Sequence, residues 1–320
     1  MSLPWPSLAT GAWRRLFDRA AIWLVLLLLL TTAALLSEAF LRPNYLLNIV
    51  RQAAPVGIAA VGVTLVMIAG GVDLSVGAII SLSAVIAAVL MEGDPANLPW
   101  ALAATLLVGA AIGLANGLLI AYNRVSPFIL TLGMAIAVYG LTQIYSGGTA
   151  RGVVAPGFRE FFNHRLGGLV PVLALAFVLI AGLGIWLQRA TRFGRSLYLI
   201  GSNPAAARLA GLPIAKVTVA AYVLSGLTAA LAGIALLARS GVSSTFAGRG
   251  FEFDVLAAVV LGGTTFEGGR GGIGGTIAGL LVLVIAFNLV NIIGLDYNAQ
   301  LIVKGAIIIA ASALYGCLKV

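Results

Sequence analysis

The chain has one cysteine and one histidine, and only three of its 320 residues are lysines. Cys317 alone cannot form an internal disulfide. His164 alone can build neither a metal cluster nor a Ser/His/Asp set. None of Lys216, Lys304 and Lys319 stands in a Gly-x-x-x-x-Gly-Lys-Ser/Thr phosphate loop. No catalytic residue, cofactor site or metal site is therefore expected, and any ATP hydrolysis that powers this chain belongs to another polypeptide. Charge is scarce too. Charged residues make up 9% of the chain, against about 25% in soluble proteins. Nineteen basic and ten acidic side chains cannot cover the surface of a soluble fold of this length.

What the chain has instead is apolar surface, with 61% hydrophobic residues and a mean hydropathy of +1.09. This composition predicts a polytopic integral membrane protein. It excludes soluble enzymes, nucleic-acid binders and secreted disulfide scaffolds. The formal charge of +9 then reads as anchoring at the cytoplasmic membrane surface, not as a nucleic-acid footprint. Arg14, Arg15 and Arg19 precede an apolar run without a small-residue cleavage site, which predicts a retained first span after a cytoplasmic segment 1–19.

About 20 apolar residues cross a bilayer as a helix, and that rule predicts an all-α chain with about ten spans. They fall at 20–37, 52–70, 74–91, 99–121, 125–146, 168–188, 215–238, 253–263, 271–293 and 298–318. The eighth is too short to cross alone and runs into a glycine-rich interruption, 261–272. A cytoplasmic N-terminus puts Arg14, Arg15, Arg19, Arg124, Arg189, Arg192, Arg195, Arg208, Lys216, Arg270 and Lys319 inside. It puts Arg42, Arg51, Arg151, Arg159, Arg165, Arg239 and Arg249 outside, and an even number of spans returns the C-terminus to the cytoplasm. Residues 20–320 form one membrane domain, with a long outer loop at 147–167 and a long inner loop at 189–214. The two halves look weakly related, since Gly70-Gly71 and Gly262-Gly263 each follow an apolar run and precede a helix rich in small residues. Such glycine-interrupted segments point to a transport path.

Asp73 lies between two apolar runs, where an acid costs about 2.5–3.5 kcal/mol. It reads as a cap for the third span, as a path residue, or as both. Glu252 and Asp254 open the eighth span, either complementing the helix dipole or docking a partner at the outer mouth. Lys304 reads as snorkelling or as paired with Asp296. Asn116, Thr131, Gln143, Asn288, Asn291 and Gln300 read mainly as interhelical hydrogen-bonding groups. In the inner loop, Ser202 or Asn203 can cap a short helix from Pro204 to Leu209 or Ala210, closed by Gly211 and Pro213. Such a knob suits a groove on another protein, or the inner leaflet with its arginines on anionic lipid.

Several stretches together resemble a known family. They are Gly70-Gly71-Val72-Asp73-Leu74-Ser75-Val76-Gly77, Ala115-Asn116-Gly117-Leu118, Ser126-Pro127-Phe128-Ile129-Leu130-Thr131, Thr191-Arg192-Phe193-Gly194-Arg195, Gly201-Ser202-Asn203-Pro204-Ala205-Ala206-Ala207-Arg208-Leu209-Ala210-Gly211 and Val259-Val260-Leu261-Gly262-Gly263-Thr264. In order and spacing they are similar to the ribose/xylose/arabinose/galactoside-type permeases of bacterial ABC sugar importers, from about residue 20 onward. The resemblance implies a subunit of the inner membrane that pairs with a second permease copy or a homologue. A cytoplasmic ATPase and a periplasmic sugar-binding protein would complete the importer. It further implies that Gly201, Asn203, Ala206, Ala207, Arg208 and Gly211 couple to the ATPase. Asp73, Ser75, Asn116, Thr131, Gly262, Gly263 and Thr264 would lie along the translocation path, and Glu252 and Asp254 would meet the binding protein. The sequence departs from the family's common pattern at Gly201-Ser202, where Gly-Gly is usual, and at Tyr139-Gly140-Leu141, where Arg-Gly-Leu is usual. An ion-coupled secondary transporter is the rival reading, and Asp73 is its one strong coupling group.

Overall fold

The computed structural model describes residues 10–123 and 125–294, then 296, 298–299, 301–302 and 305–306. Residues 1–9, Arg124, Gln300, Lys304, Cys317, Lys319 and most of the expected tenth span lie outside the described residues. The helices in chain order are α1 (Thr10–Leu36), α2 (Pro43–Ile68), α3 (Val76–Met91), α4 (Leu98–Asn123), α5 (Pro127–Ser146), α6 (Phe158–Asn163), α7 (Val172–Ala190), α8 (Arg192–Ser202), α9 (Pro204–Leu209), α10 (Ile214–Ser240), α11 (Phe251–Leu261) and α12 (Ile273–Ile292). A two-residue hairpin, β1 (Arg165–Leu166) with β2 (Val170–Pro171), precedes α7. Six of the helices are long and apolar enough to cross a membrane, and α3 and the Ile22–Leu36 part of α1 are shorter apolar helices. The chain is an all-α polytopic membrane protein.

The starts of these helices follow local chemistry. Proline opens α2, α5 and α9, where the missing amide costs no hydrogen bond. Thr191 and Asn203 cap α8 and α9 with their side-chain oxygens, on the amides of Gly194 and Ala206. α1 begins ten residues before the expected first span, so the basic N-terminal run continues as helix from Thr10. The break after α2 is wider than expected, because α3 begins at Val76 and not at 74.

Water is absent from the surroundings of such helices, so close packing of small residues holds them together. α4 and α10 form the most extensive pair. Gly109, Gly113 and Gly117 lie one turn apart on α4 and face Gly226, Tyr222 and Val219 on α10. A Cβ on Gly113 would overlap the carbonyl group of Tyr222, and one on Gly226 would overlap that of Gly109. The largest core joins α2, α10, α11 and α12, with Ile58, Leu65, Tyr222, Val255 and Leu280 almost wholly buried. α5 is mostly bare by comparison, with Ile129, Ile136 and Ile144 strongly exposed.

Two long helices each stop, cross an irregular segment and resume as a short helix. After α2 comes 69–75 and then α3; after α10 comes 241–250 and then α11. The breaks approach each other. The amide of Gly248 donates to Ser81 Oγ of α3 at 2.9 Å, and a Cβ on Gly77 would overlap the Glu252 carboxylate and crowd the Gly248 carbonyl.

A bulky residue at the α4–α10 seam must therefore push two backbones apart. Gly226→Val should destabilise the detergent-solubilised chain by about 3 kcal/mol or more, read as a lower unfolding temperature. Gly133→Ala, with no atom near its added methyl, should leave that temperature unchanged.

Candidate functional site

The break after α2 exposes backbone groups inside the bundle, and side chains from α5 and α10, with that of Asp73 in the break itself, satisfy them. Tyr222 of α10 donates from Oη to the Val72 carbonyl at 3.0 Å. The amide of Leu74 donates to Thr131 Oγ1 of α5 at 3.1 Å, and Thr131 donates in turn to the Pro127 carbonyl at 2.8 Å. Asp73, wholly buried, accepts three hydrogen bonds. Ser75 supplies its amide at 3.0 Å and its hydroxyl at 2.6 Å to Oδ1, and Ser225 of α10 supplies its hydroxyl at 2.7 Å to Oδ2. Asn116 of α4 donates from Nδ2 to Ser75 Oγ at 2.9 Å, while its Oδ1 is buried without a partner.

Charge-assisted hydrogen bonds contribute about 1.5–3 kcal/mol each, so three of them offset the insertion cost of the acid. Asp73 is not itself the cap of α3. That position belongs to Ser75, and Asp73 grips the cap residue from two positions earlier. Ser225 lies roughly 17 Å from the start of α10 at 1.5 Å per residue, which places Asp73 near the middle of the span.

The sequence-predicted path residues thus divide into two groups. Asp73, Ser75, Asn116 and Thr131 come together in this node, and none is exposed. In this conformation all four are buried and bonded to one another or to the backbone of the break. Ser225 and Tyr222, which no sequence motif marks, complete the node. Their signal was a hydroxyl beside Gly226 in the tightest helix seam, with Tyr222 one turn earlier.

Gly262, Gly263 and Thr264 form a second cluster at the end of the bundle that carries α8 and α9. Gly262 packs backbone to backbone against Gly275 and Thr276 of α12. Thr264, almost wholly buried, accepts from the Gly272 amide at 3.2 Å and closes the glycine loop on itself. Three contacts tie this loop to its neighbours. The Gly269 amide donates to the Ile68 carbonyl of α2 at 2.8 Å. Tyr198 of α8 donates to the Gly271 carbonyl at 2.7 Å and is joined to Gln188, whose Oε1 accepts from the Ile273 amide at 2.9 Å. Gly201 is wedged where a Cβ would overlap Ile68 and the 268–269 backbone. The α8–α9 elbow therefore touches both the end of α2 and the glycine loop.

Of the residues expected to couple, Asn203, Ala206, Arg208 and Gly211 are exposed, with Asn203 capping α9 at 3.0 Å to the Ala206 amide. Gly201 and Ala207 face inward, and Ala207 is buried in the main core. Leu209, which was not singled out, is 91% exposed and forms the apolar tip of α9. Glu252 does not project from an outer surface. Its carboxylate lies over Gly77, accepts from the Gly250 amide at 3.1 Å and is met by Tyr139 Oη at 3.5 Å. Asp254 lines a cavity of 220 Å³ among α2, α10, α11 and α12, with Gln52, Arg239 and Asn288. Both side chains are half-buried in this chain. Asn288 donates to the Val284 carbonyl at 2.8 Å, and Gln143 is half-buried near the end of α5. Asp296 accepts from Asn298 and the Ala299 amide.

Long apolar helices broken inside the bundle around a polar node define a membrane transport protein of the broken-helix kind. The chain belongs to the family described as branched-chain amino acid transport system / permease component, which it matches over residues 45–312. It is 39% identical over 317 residues to the ribose import permease protein RbsC of Escherichia coli (strain K12), covering 94% of this chain and 96% of that one. It is 41% identical over 298 residues to RbsC of Bacillus subtilis (strain 168), covering 91% of each. It is also 36% identical over 311 residues to the galactose/methyl galactoside import permease protein MglC of E. coli (strain K12), covering 92% of each. No solved structure matches the chain.

Removing the Asp73 carboxylate strands three donors, each costing about 1–3 kcal/mol. Asp73→Ala should therefore unfold at markedly lower temperature than Asp73→Asn, which keeps one acceptor; equal losses would remove Asp73 from its place in the node. Tyr198→Phe loses two hydrogen bonds, to the Gly271 carbonyl and from Gln188; the first, worth about 1 kcal/mol to the glycine loop, should let its amides exchange with solvent roughly fivefold faster, while the Leu74 amide is unaffected.

Proposed function

We propose that the chain is the membrane subunit of an ATP-driven importer for a neutral sugar of the ribose or galactoside class, working in a bacterial inner membrane. The observation that carries this reading is α9: a capped, six-residue helix with an exposed Leu209 and Arg208, joined through Gly201 and Tyr198 to both irregular segments at its end of the bundle. The names of the similar permeases support the sugar. So does the scarcity of charge, since a neutral solute needs no counter-ions along its path.

The mechanism follows from the contacts. A cytoplasmic ATPase grips α9, and its closure pulls the elbow. The pull reaches Ile68 through Gly201 and the Gly269 amide, and reaches α12 through Tyr198, Gln188 and the Ile273 amide. Between those points lies the 69–75 break with its Asp73 lock, so one movement at α9 bears on the helices around the path. A second permease copy or homologue supplies the other wall, and a periplasmic binding protein delivers sugar at the opposite end. This orientation places both termini in the cytoplasm. The chain forms no covalent intermediate and breaks no bond.

The test is purification from native membranes in mild detergent, with co-purifying proteins identified by mass spectrometry. A stoichiometric ATP-binding-cassette protein is expected with the wild-type chain, and Leu209→Glu should lose it while the permease folds normally. Gly201 and Ala207 are unsuited to this test, because both are packed into the permease itself. A chain that carries no ATPase, yet moves solute in proteoliposomes on an ion gradient, would establish the secondary-transporter reading instead.

A further inference from the structure

The segment that descends from the end of α10 into α11 combines depth, charge and exposure in a way that lipid does not explain. Gly248 is bonded to Ser81, and Gly233 of α10 packs at the same level against Ile80 and Ser83. Gly233 lies roughly 10 Å inside the end of α10 at Ser240, at 1.5 Å per residue. α10 is 27 residues long, roughly 40 Å at that rise, against a hydrocarbon core of about 30 Å. Residues 248–252 therefore lie at hydrocarbon depth, in the half of the membrane away from α9.

At that depth Arg249 is exposed, its guanidinium 5.6 Å from the Phe246 ring centre. Phe246 and Phe253 are 49% and 57% exposed, and Glu252 is half-buried beside the Tyr139 hydroxyl. The other exposed row at membrane depth looks different: Ile129, Leu132, Ile136 and Ile144 of α5 are apolar throughout. A guanidinium and a carboxylate in one place inside the membrane call for water or a polar partner. Aromatic faces beside an arginine, a carboxylate and a phenol suit a polyhydroxylated ring. The aromatic ring covers the apolar C–H face of a sugar, and planar charged groups bond its hydroxyls in pairs.

We propose that Phe246, Arg249, Glu252 and Phe253, with Tyr139 of α5, form a sugar-contacting site on the wetted wall of the transport path. This rests on the sugar-permease reading and locates its substrate, while moving the contact away from the Asp73 node. Asp73 has both oxygens occupied and no exposure; the 246–253 segment has a charged, aromatic and open face. Asp73 locks the path, and Glu252 and Arg249 meet the cargo.

Because Cys317 is the chain's one cysteine, Cys317→Ser gives a background for single-cysteine labelling in membranes containing the whole transport system. A charged, membrane-impermeant thiol reagent reacts only with a hydrated thiolate. Phe246→Cys and Phe253→Cys should therefore label at least about tenfold faster than Ile136→Cys on the wholly apolar exposed row of α5. Saturating ribose or galactose should slow labelling at 246 and 253 severalfold. Glu252→Gln and Tyr139→Phe should shift the ratio of ribose to galactose uptake, a readout that a general folding loss would leave unmoved. Labelling as slow as at Ile136→Cys would overturn the proposal by assigning the face to lipid. Fast labelling with no sugar protection and an unchanged uptake ratio would overturn it as well. Failure of the parent permease reading looks different: the wild-type system would then move neither sugar, whatever the labelling rates.

Discussion

A backbone that leaves the helix inside a membrane has no water to turn to, and the rest of this structure depends on how that debt of unpaired groups is met. In α2 the helix ends at Ile68 and resumes as α3 at Val76. Between them the chain must find partners for its amides and carbonyls within the protein. Thr131 and Tyr222 take the groups of Leu74 and Val72, and Asp73 takes the start of the next helix. These partners come from α5 and α10, with α4 behind them through Asn116, so the break requires that four helices meet at one depth. An acid is the economical choice there. One carboxylate accepts three hydrogen bonds from two helices, which a neutral side chain of its size cannot do.

That convergence sets the demands on the seams. Tyr222 and Ser225 reach the break from a helix held close on two sides: to α4, where Gly109, Gly113, Gly117 and Gly226 leave no side chain between the backbones, and to α2 at Gly62. Glycine would weaken these helices in water. Within a bilayer the helix is already secured by the absence of competing partners, and the freed space converts into contact. The same logic recurs at Gly262 and Gly275, where α11 meets α12, and at Gly201, where the elbow meets Ile68. Packing by small residues thus joins the polar node to the end that carries α8 and α9 without a chain of charged groups.

Much of this was legible in the sequence. Nine of the expected spans have a helix at their place, most with ends within a few residues; α1 starts ten residues early and α2 nine, at Pro43 against 52. The hydropathy runs are long and the glycine breaks abrupt. Gly70-Gly71 and Asp73 announced the first break, and the Pro204–Leu209 helix was visible in its cap and its closing glycine. Depth and facing were not legible. Asn116 and Thr131 lie far from Asp73 and Ser75 in the chain, and nothing in the spacing says that the four share a node. Glu252 reads as outer-surface acid because the segment before it is polar. The chain instead re-enters the bundle there, which only the bond from Gly248 to Ser81 reveals. Gly201 lies at the end of α8 and Ala207 in α9, where Ala205, Ala206, Ala210 and Gly211 around it give the sequence no way to tell an exposed face from a buried one.

The relation between the halves shows why facing matters more than motif. Gly70-Gly71 and Gly262-Gly263 look alike in sequence, and both come to rest near α8. The units that match in architecture are α2 with its break and α3, and α10 with its break and α11: a long helix, an irregular segment, a short helix. One break opens from the α9 end and is sealed around Asp73. The other opens from the opposite end and leaves Arg249 and Glu252 partly bare. The two short helices begin beside each other at Gly77 and Glu252. A rocking movement that loosens one break must act on the start of the other through that contact. A transporter that alternates its access needs two gates that are never open together, and a shared contact between two oppositely facing breaks is a physical way to link them.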